Sequence, residues 1–111
     1  MDDSARLRHI LDAIERVVRY TAGGRGQFMA DELVQDAVMR NLEIIGEAAK
    51  ALSSETTGRA PTVAWRNVSG MRDHLVHGYF GVDLDIVWNA VTEDLPGLRA
   101  AVEMLLDHAS E

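Results

Sequence analysis

Apolar residues in this chain recur at helical spacing almost from end to end, and no segment alternates long enough to make a strand. Leu7, Ile10, Leu11, Ile14 and Val17 fall at i, i+3, i+4, i+7 and i+10, one stripe of an amphipathic helix. That helix is expected to open with Asp3 or Ser4 as N-cap and to end at Gly23-Gly24. Arg25 to Met29 reads as a connecting loop. Asp31 and Glu32 suit the positive end of a second helix, whose stripe is Val34, Val38, Leu42, Ile45, Ala49 and Leu52. Residues 53–62 collect turn formers and read as the longest loop, and Pro61 is placed to open a short helical segment carrying Trp65. A third helix is expected over Gly70-Met71-Arg72-Asp73-His74-Leu75-Val76-His77-Gly78-Tyr79-Phe80, flanked by Gly70 and Gly81. The last begins at Asp83 or Asp85, carries Val87, Val91, Leu95, Leu98, Val102 and Leu105, and must be kinked or split at Pro96. The expected fold is all-α, an antiparallel bundle of four to five helices.

With 111 residues the chain has room for one core, so a single domain over residues 1–111 is expected. The mixture of 47% apolar and 26% charged residues is that of a globular protein rather than a disordered one. No apolar run approaches the ~20 residues needed to cross a bilayer, and the first residues lack the apolar stretch of a signal peptide. The absence of cysteine excludes a disulfide scaffold, Cys-ligated zinc and thiol chemistry. A cytoplasmic protein is the expectation.

The net charge of −7 argues against passive coating of nucleic acid, whose non-specific affinity comes from neutralised phosphates. The charge is nevertheless uneven. Arg16, Arg19 and Arg25 lie in a stretch without acids from Arg16 to Ala30, and Arg59, Arg66 and Arg72 in another from Thr56 to Arg72. Ten of the eleven basic residues are Arg, which suits bidentate phosphate contacts but is equally what a GC-rich coding sequence yields.

Between residues 72 and 79 the chain places Arg72, Asp73, His74, His77 and Tyr79. Asp73 and His77, four apart, share a helix face, so the carboxylate can orient the imidazole. Arg72 and Tyr79, seven apart, share another if the helix continues through Gly78. Arg72 and His77 differ by roughly 140° around the axis, so the set converges better on a substrate between two helices or two subunits, and a symmetric dimer is the natural arrangement. An imidazole that titrates near neutrality moves protons, and a guanidinium stabilises charge building on phosphorus. Such a pair suffices for metal-independent RNA cleavage by the ribose 2′-OH. On the residues alone, an ion-pair network capping a helix contact accounts for Arg72 and His77 as simply. His74 and His77 with Asp73 make a poor metal set without a third anchored donor, and no metal or cofactor is expected. Trp65 and Trp88 read as core or interface anchors, and Glu43 with Glu47 as a carboxylate pair on a solvated face.

The run Arg72-x4-His77-x-Tyr79, with Asp73 directly after the Arg, resembles the signature of HEPN-superfamily ribonucleases, and specifically of HepT-like toxins. Asn41 to Lys50 resembles that family's second helix, and Trp65, Gly70-Met71-Arg72, Val82-Asp83, Val87-Trp88 and Leu95-Pro96 match its layout. The resemblance implies a HEPN-like helical homodimer with Arg and His of both copies facing a shared cleft. It implies the toxin of a type VII toxin–antitoxin system, an endoribonuclease acting on tRNA or mRNA. The implied partner is an MntA-like nucleotidyltransferase antitoxin that transfers AMP from ATP onto the motif tyrosine, in complexes that extend to higher hetero-oligomers. By that resemblance Arg72 stabilises the phosphate, His77 transfers protons, Asp73 orients or polarises, and Tyr79 accepts AMP. Two other readings stand beside it. One is a non-catalytic helical docking subunit of a nucleotidyltransferase; the other is a nucleotide-binding domain in which Arg72 grips a phosphate.

Overall fold

The computed structural model describes residues 2–77 and 83–109, the side chains of residues 72–77 and 109 excepted. Every element among them is helical: α1 (Asp3–Tyr20), α2 (Gly24–Ala30), α3 (Glu32–Lys50), α4 (Ser54–Gly58), α5 (Trp65–His77), α6 (Leu84–Asn89), a π turn (Ala90–Asp94) and α7 (Leu95–Ala109). Four long rods, α1, α3, α5 and α7, carry the architecture; the periodicity predicts α1, α3 and α7. The shorter helices join them.

α1 and α3 form the centre. Leu7, Ile10, Ala13, Ile14 and Val17 of α1 bury against Val38, Leu42, Ile45 and Ala49 of α3, and α5 packs on α3 while α7 packs on α1. Two polar contacts fix the sense of the central pair. Asp3 meets Ser53 just past the end of α3, and Arg16 Nε donates to Asn41 Oδ1 at 2.8 Å, so residue numbers rise on one helix as they fall on the other. The two helices are antiparallel. Asn41 is 5% exposed and its Nδ2 in turn donates to the Ala37 carbonyl at 2.8 Å, so its burial leaves no polar atom unmet.

The N-cap of α1 is Asp2, whose Oδ1 accepts from the Ala5 N–H at 2.8 Å, one residue ahead of the expected cap. Asp3 is engaged elsewhere. Its carboxylate accepts from the Ser53 N–H (3.1 Å), the Ser53 hydroxyl (2.6 Å) and the Thr56 hydroxyl (2.6 Å). These hydroxyls, Ser53 first, hold the Asp3 carboxyl at about 2, below its usual 3.8.

Two segments expected as loops are helices. Residues 24–30 form α2 because Phe28 is wholly buried, its ring 5.3 Å from that of Trp88 and tilted by 36°. The Gln35 amide donates to the carbonyls of Phe28 (2.8 Å) and Met29 (3.2 Å), meeting acceptors that the helix end would leave bare. Arg25 also pairs with Asp85, tying α2 to α6. Residues 54–58 form α4, with the Ser53 hydroxyl accepting from the Thr56 N–H. The segment expected at Pro61 and the third helix are one element: α5 opens at Trp65, whose indole N–H donates to the Ala60 carbonyl at 3.0 Å, and passes through Gly70 without a break.

Pro96 neither splits nor terminates the last helix. A proline ring clashes with the carbonyl four residues back, here Thr92, and supplies no N–H to it. The chain resolves both problems by widening to a π turn immediately upstream, in which the Leu95 N–H reaches Ala90 O, and Pro96 then occupies the first turn of α7.

Candidate active site

α5 carries Arg72, Asp73 and His77 in its last two turns. Continuity of the helix from Trp65 to His77 sets their phase. Asp73 and His77 stand on one face, as their spacing predicts, and Arg72 stands about 140° away, in line with Trp65 and the buried Val68. The side chains of Arg72, Asp73, His74 and His77, and the whole of Tyr79, lie outside the described residues, as does the expected continuation of the helix through Gly78.

The rest of α5 shows what kind of surface this helix offers. Its face opposite α3 looks across a groove at α6 and the π turn. Arg66, Asn67, Gly70 and Met71 form one side of this groove, Ile86 and Asn89 the other, and its volume is about 480 Å³. A neighbouring hollow shares Asn67, Met71 and Asp94 with it and is lined also by Thr62 and Val63 and by Gly97 and Leu98 of α7. Among the described residues α5 packs closely on α3, and a Cβ built at Gly70 would meet no atom within 4 Å. The widened π turn supplies Ala90 and Asp94 to the far wall, a placement that recurs for π turns at functional sites.

The remaining candidates separate into structural and surface roles. Trp65 and Trp88 are half-buried, the first bonded to Ala60 and the second stacked on Phe28, as core anchors should be. Glu43 pairs with Arg40 at 3.3 Å. His9 and His108 are exposed, as their places near the termini suggest. Among the described residues no group of three or more His, Asp or Glu is placed to hold a metal ion, and no helix is long and apolar enough to cross a membrane. Arg66, noted in the sequence only as part of an acid-free stretch, borders this groove. It lies eleven residues, three helical turns, before His77, which places the two positions on the same face of α5.

Comparison with known proteins spans the site helix. The model of the family described as ribonuclease HepT-like matches residues 10–105. The protein named probable ribonuclease HepT of Thermococcus cleftensis is 41% identical over 100 residues, covering 89% of this chain and 91% of that one. A candidate RNase of Caldanaerobacter subterraneus is 38% identical over 101 residues, 90% of each chain. A candidate RNase of Methanocaldococcus jannaschii is 34% identical over 105 residues, 94% of this chain and 96% of that one. No solved structure matches. With the family model covering all but the first nine and last six residues, and the four-rod helical bundle in place, the chain belongs to the HepT-like ribonuclease family.

Proposed function

We propose that this ribonuclease is a toxin that cleaves tRNA or mRNA without a metal ion, through Arg72 and His77, and that an MntA-like nucleotidyltransferase silences it by transferring AMP to Tyr79. The observation that carries the reading is the run Arg72-Asp73-x3-His77 on one unbroken helix inside the region matched to the ribonuclease family. In the step envisaged, the ribose 2′-oxygen attacks the adjacent phosphorus and the P–O5′ bond breaks. A 2′,3′-cyclic phosphate and a 5′-hydroxyl result. His77 takes the 2′ proton or supplies one to the leaving 5′ oxygen, and in a homodimer the two copies of His77 divide these tasks. Arg72 neutralises the charge that accumulates on the non-bridging oxygens, and Asp73 holds the imidazole in its working tautomer. In the silencing step the Tyr79 hydroxyl attacks the α-phosphorus of ATP and pyrophosphate leaves. The attached AMP then stands two residues from His77, where bulk and negative charge oppose a phosphate substrate. A soluble, cytoplasmic homodimer that joins its antitoxin in larger complexes completes the proposal.

The test is RNA cleavage in EDTA by wild type and His77→Ala, on total tRNA and on a long mRNA, after mass spectrometry shows Tyr79 bare. Cleavage by wild type alone, leaving cyclic-phosphate or phosphate 3′ ends, supports the reading. If neither protein cuts, the reading fails in favour of a docking subunit for the nucleotidyltransferase, which the net charge of −7 favours.

A further inference from the structure

We propose that Arg66 is a substrate-binding residue, gripping a phosphate of the RNA a few nucleotides from the bond that is cut, along the groove between α5 and α6. The inference rests on the ribonuclease reading and adds to it a contact outside the Arg72–His77 motif.

Among the arginines whose side chains are described, Arg8 on α1 and Arg66 on α5 are the two without a carboxylate, amide or ring partner, and of these Arg66 borders the groove between α5 and α6. Arg6, Arg25, Arg40, Arg59 and Arg99 each have a carboxylate within 4 Å, Arg16 is bonded to Asn41, and Arg19 lies over the Tyr20 ring. Arg66 is exposed and has no carboxylate within 4 Å among the described residues, although acids outnumber bases by seven. Asp94 borders the same groove from the far wall without pairing with it. Its position is also aligned with the chemistry. Residues 66, 70, 73 and 77 follow i, i+4, i+7 and i+11, so Arg66 stands on the stripe of Asp73 and His77, about 16 Å back along the axis of α5. Between Arg66 and Asp73 the stripe carries only Gly70, which adds no side chain, and nothing lies within 4 Å of where its Cβ would be. A strand whose scissile phosphate sits at His77 can therefore approach α5 closely at Gly70, and the Arg66 guanidinium stands beside that point in the groove. The far wall repels phosphate through Asp94, which confines the strand to the α5 side. A phosphate gripped away from the reacting atoms is bound equally in ground and transition states, so its loss raises KM and spares kcat.

The experiment compares wild type, Arg66→Ala, Arg66→Lys and Arg59→Ala on whichever RNA the wild type cuts, total tRNA or a long mRNA, between about 50 and 200 mM KCl. Arg66→Ala is expected to raise KM about 5- to 10-fold with kcat within twofold, and to make the fall of log kcat/KM with log salt shallower by about 0.7 to 0.9. Arg66→Lys keeps most of that salt slope, since a point charge still releases the counterion. Arg59→Ala removes the same charge from a residue already paired with Glu55 and is expected to change neither quantity. Folding is followed by circular dichroism. Taking a cation from the first turn of α5 relieves its clash with the positive helix end, so the Arg66→Ala melting temperature should hold or rise. An Arg66→Ala enzyme whose KM and salt slope match those of Arg59→Ala overturns the proposal and leaves the ribonuclease reading standing. A wild type that cuts no RNA, or a His77→Ala variant that still cuts, overturns the ribonuclease reading and the Arg66 contact with it.

Discussion

Gly24→Ala and Gly70→Ala make the same chemical change, one methyl for one hydrogen, and should move stability in opposite directions. Gly24 has φ +88°, a backbone conformation that costs an L residue about 1–2 kcal/mol. Part of this is offset because alanine also narrows the unfolded ensemble, leaving a net loss of about 1 kcal/mol. Gly70 lies inside α5 with ordinary helical geometry and open space around its missing Cβ. There the substitution removes the entropy cost of glycine in a helix at no steric expense, a gain of about 0.5–1 kcal/mol. For a domain of this size each kcal/mol moves the melting temperature by about 4 °C, so the two variants should melt roughly 6–8 °C apart, on either side of wild type. Thermal unfolding followed by circular dichroism at neutral pH reads this directly. A Gly70→Ala protein that melts below wild type would refute the reasoning, since it would mean that atoms from elsewhere, a second copy for instance, crowd that face. A Gly24→Ala protein that melts higher would show that the turn between α1 and α2 does not need its positive φ.

Three further outcomes are expected. Phe28→Ala empties a fully buried site against Trp88 and should cost about 3–5 kcal/mol, with a red shift of tryptophan emission in the folded state as the stacked ring is lost. Asp3 is held at about 2 when folded, so its contribution is complete above the unfolded value near 4 and is lost as pH falls toward 2; stability should drop by roughly 1–2 kcal/mol across that window, and Asp3→Asn should flatten the drop in acid-dependent urea midpoints. Arg72→Lys should lose at least about 10-fold in RNA cleavage while its circular dichroism spectrum stays that of wild type, because an ammonium cannot reproduce the planar fork.

α1, α3 and α7 were legible because each repeats its apolar stripe over about four or more turns, and those stripes are the core; α5 carries no such stripe, and in the sequence its first turn reads as a separate segment. The short helices were not legible. α2 has seven residues, two of them glycine (Gly24 and Gly26), and buries only Phe28, so no period exists to detect. What makes it helical is tertiary: the ring of Trp88 and the amide of Gln35 come from segments far along the chain. Gly70 misled in the other direction, reading as a helix boundary when an interior glycine with nothing beside it is merely a weak point. Pro96 was rightly seen as incompatible with a plain helix, but periodicity in apolar residues does not distinguish a kink from a widened turn. At the site, the spacing of Arg72, Asp73 and His77 gave their relative phase on α5. The groove beside them was not foreseeable, since it depends on α5 packing closely on α3 and loosely on α7.

The Arg16–Asn41 contact has a consequence for how the two central helices find each other. Leucine, isoleucine and valine side chains are nearly interchangeable as neighbours, and a slide of α1 by one turn along α3 would bring similar surfaces together again. It would also strand a buried amide and a half-buried guanidinium, at a cost of about 1–3 kcal/mol for the amide alone. The pair therefore acts less as glue than as a detent: the apolar stripes set how strongly α1 and α3 adhere, and one asparagine sets where the sliding stops. Core side chains along this seam are free to exchange volume with one another over evolutionary time while that stop stays fixed, and α5, seated on the other side of α3, inherits its alignment.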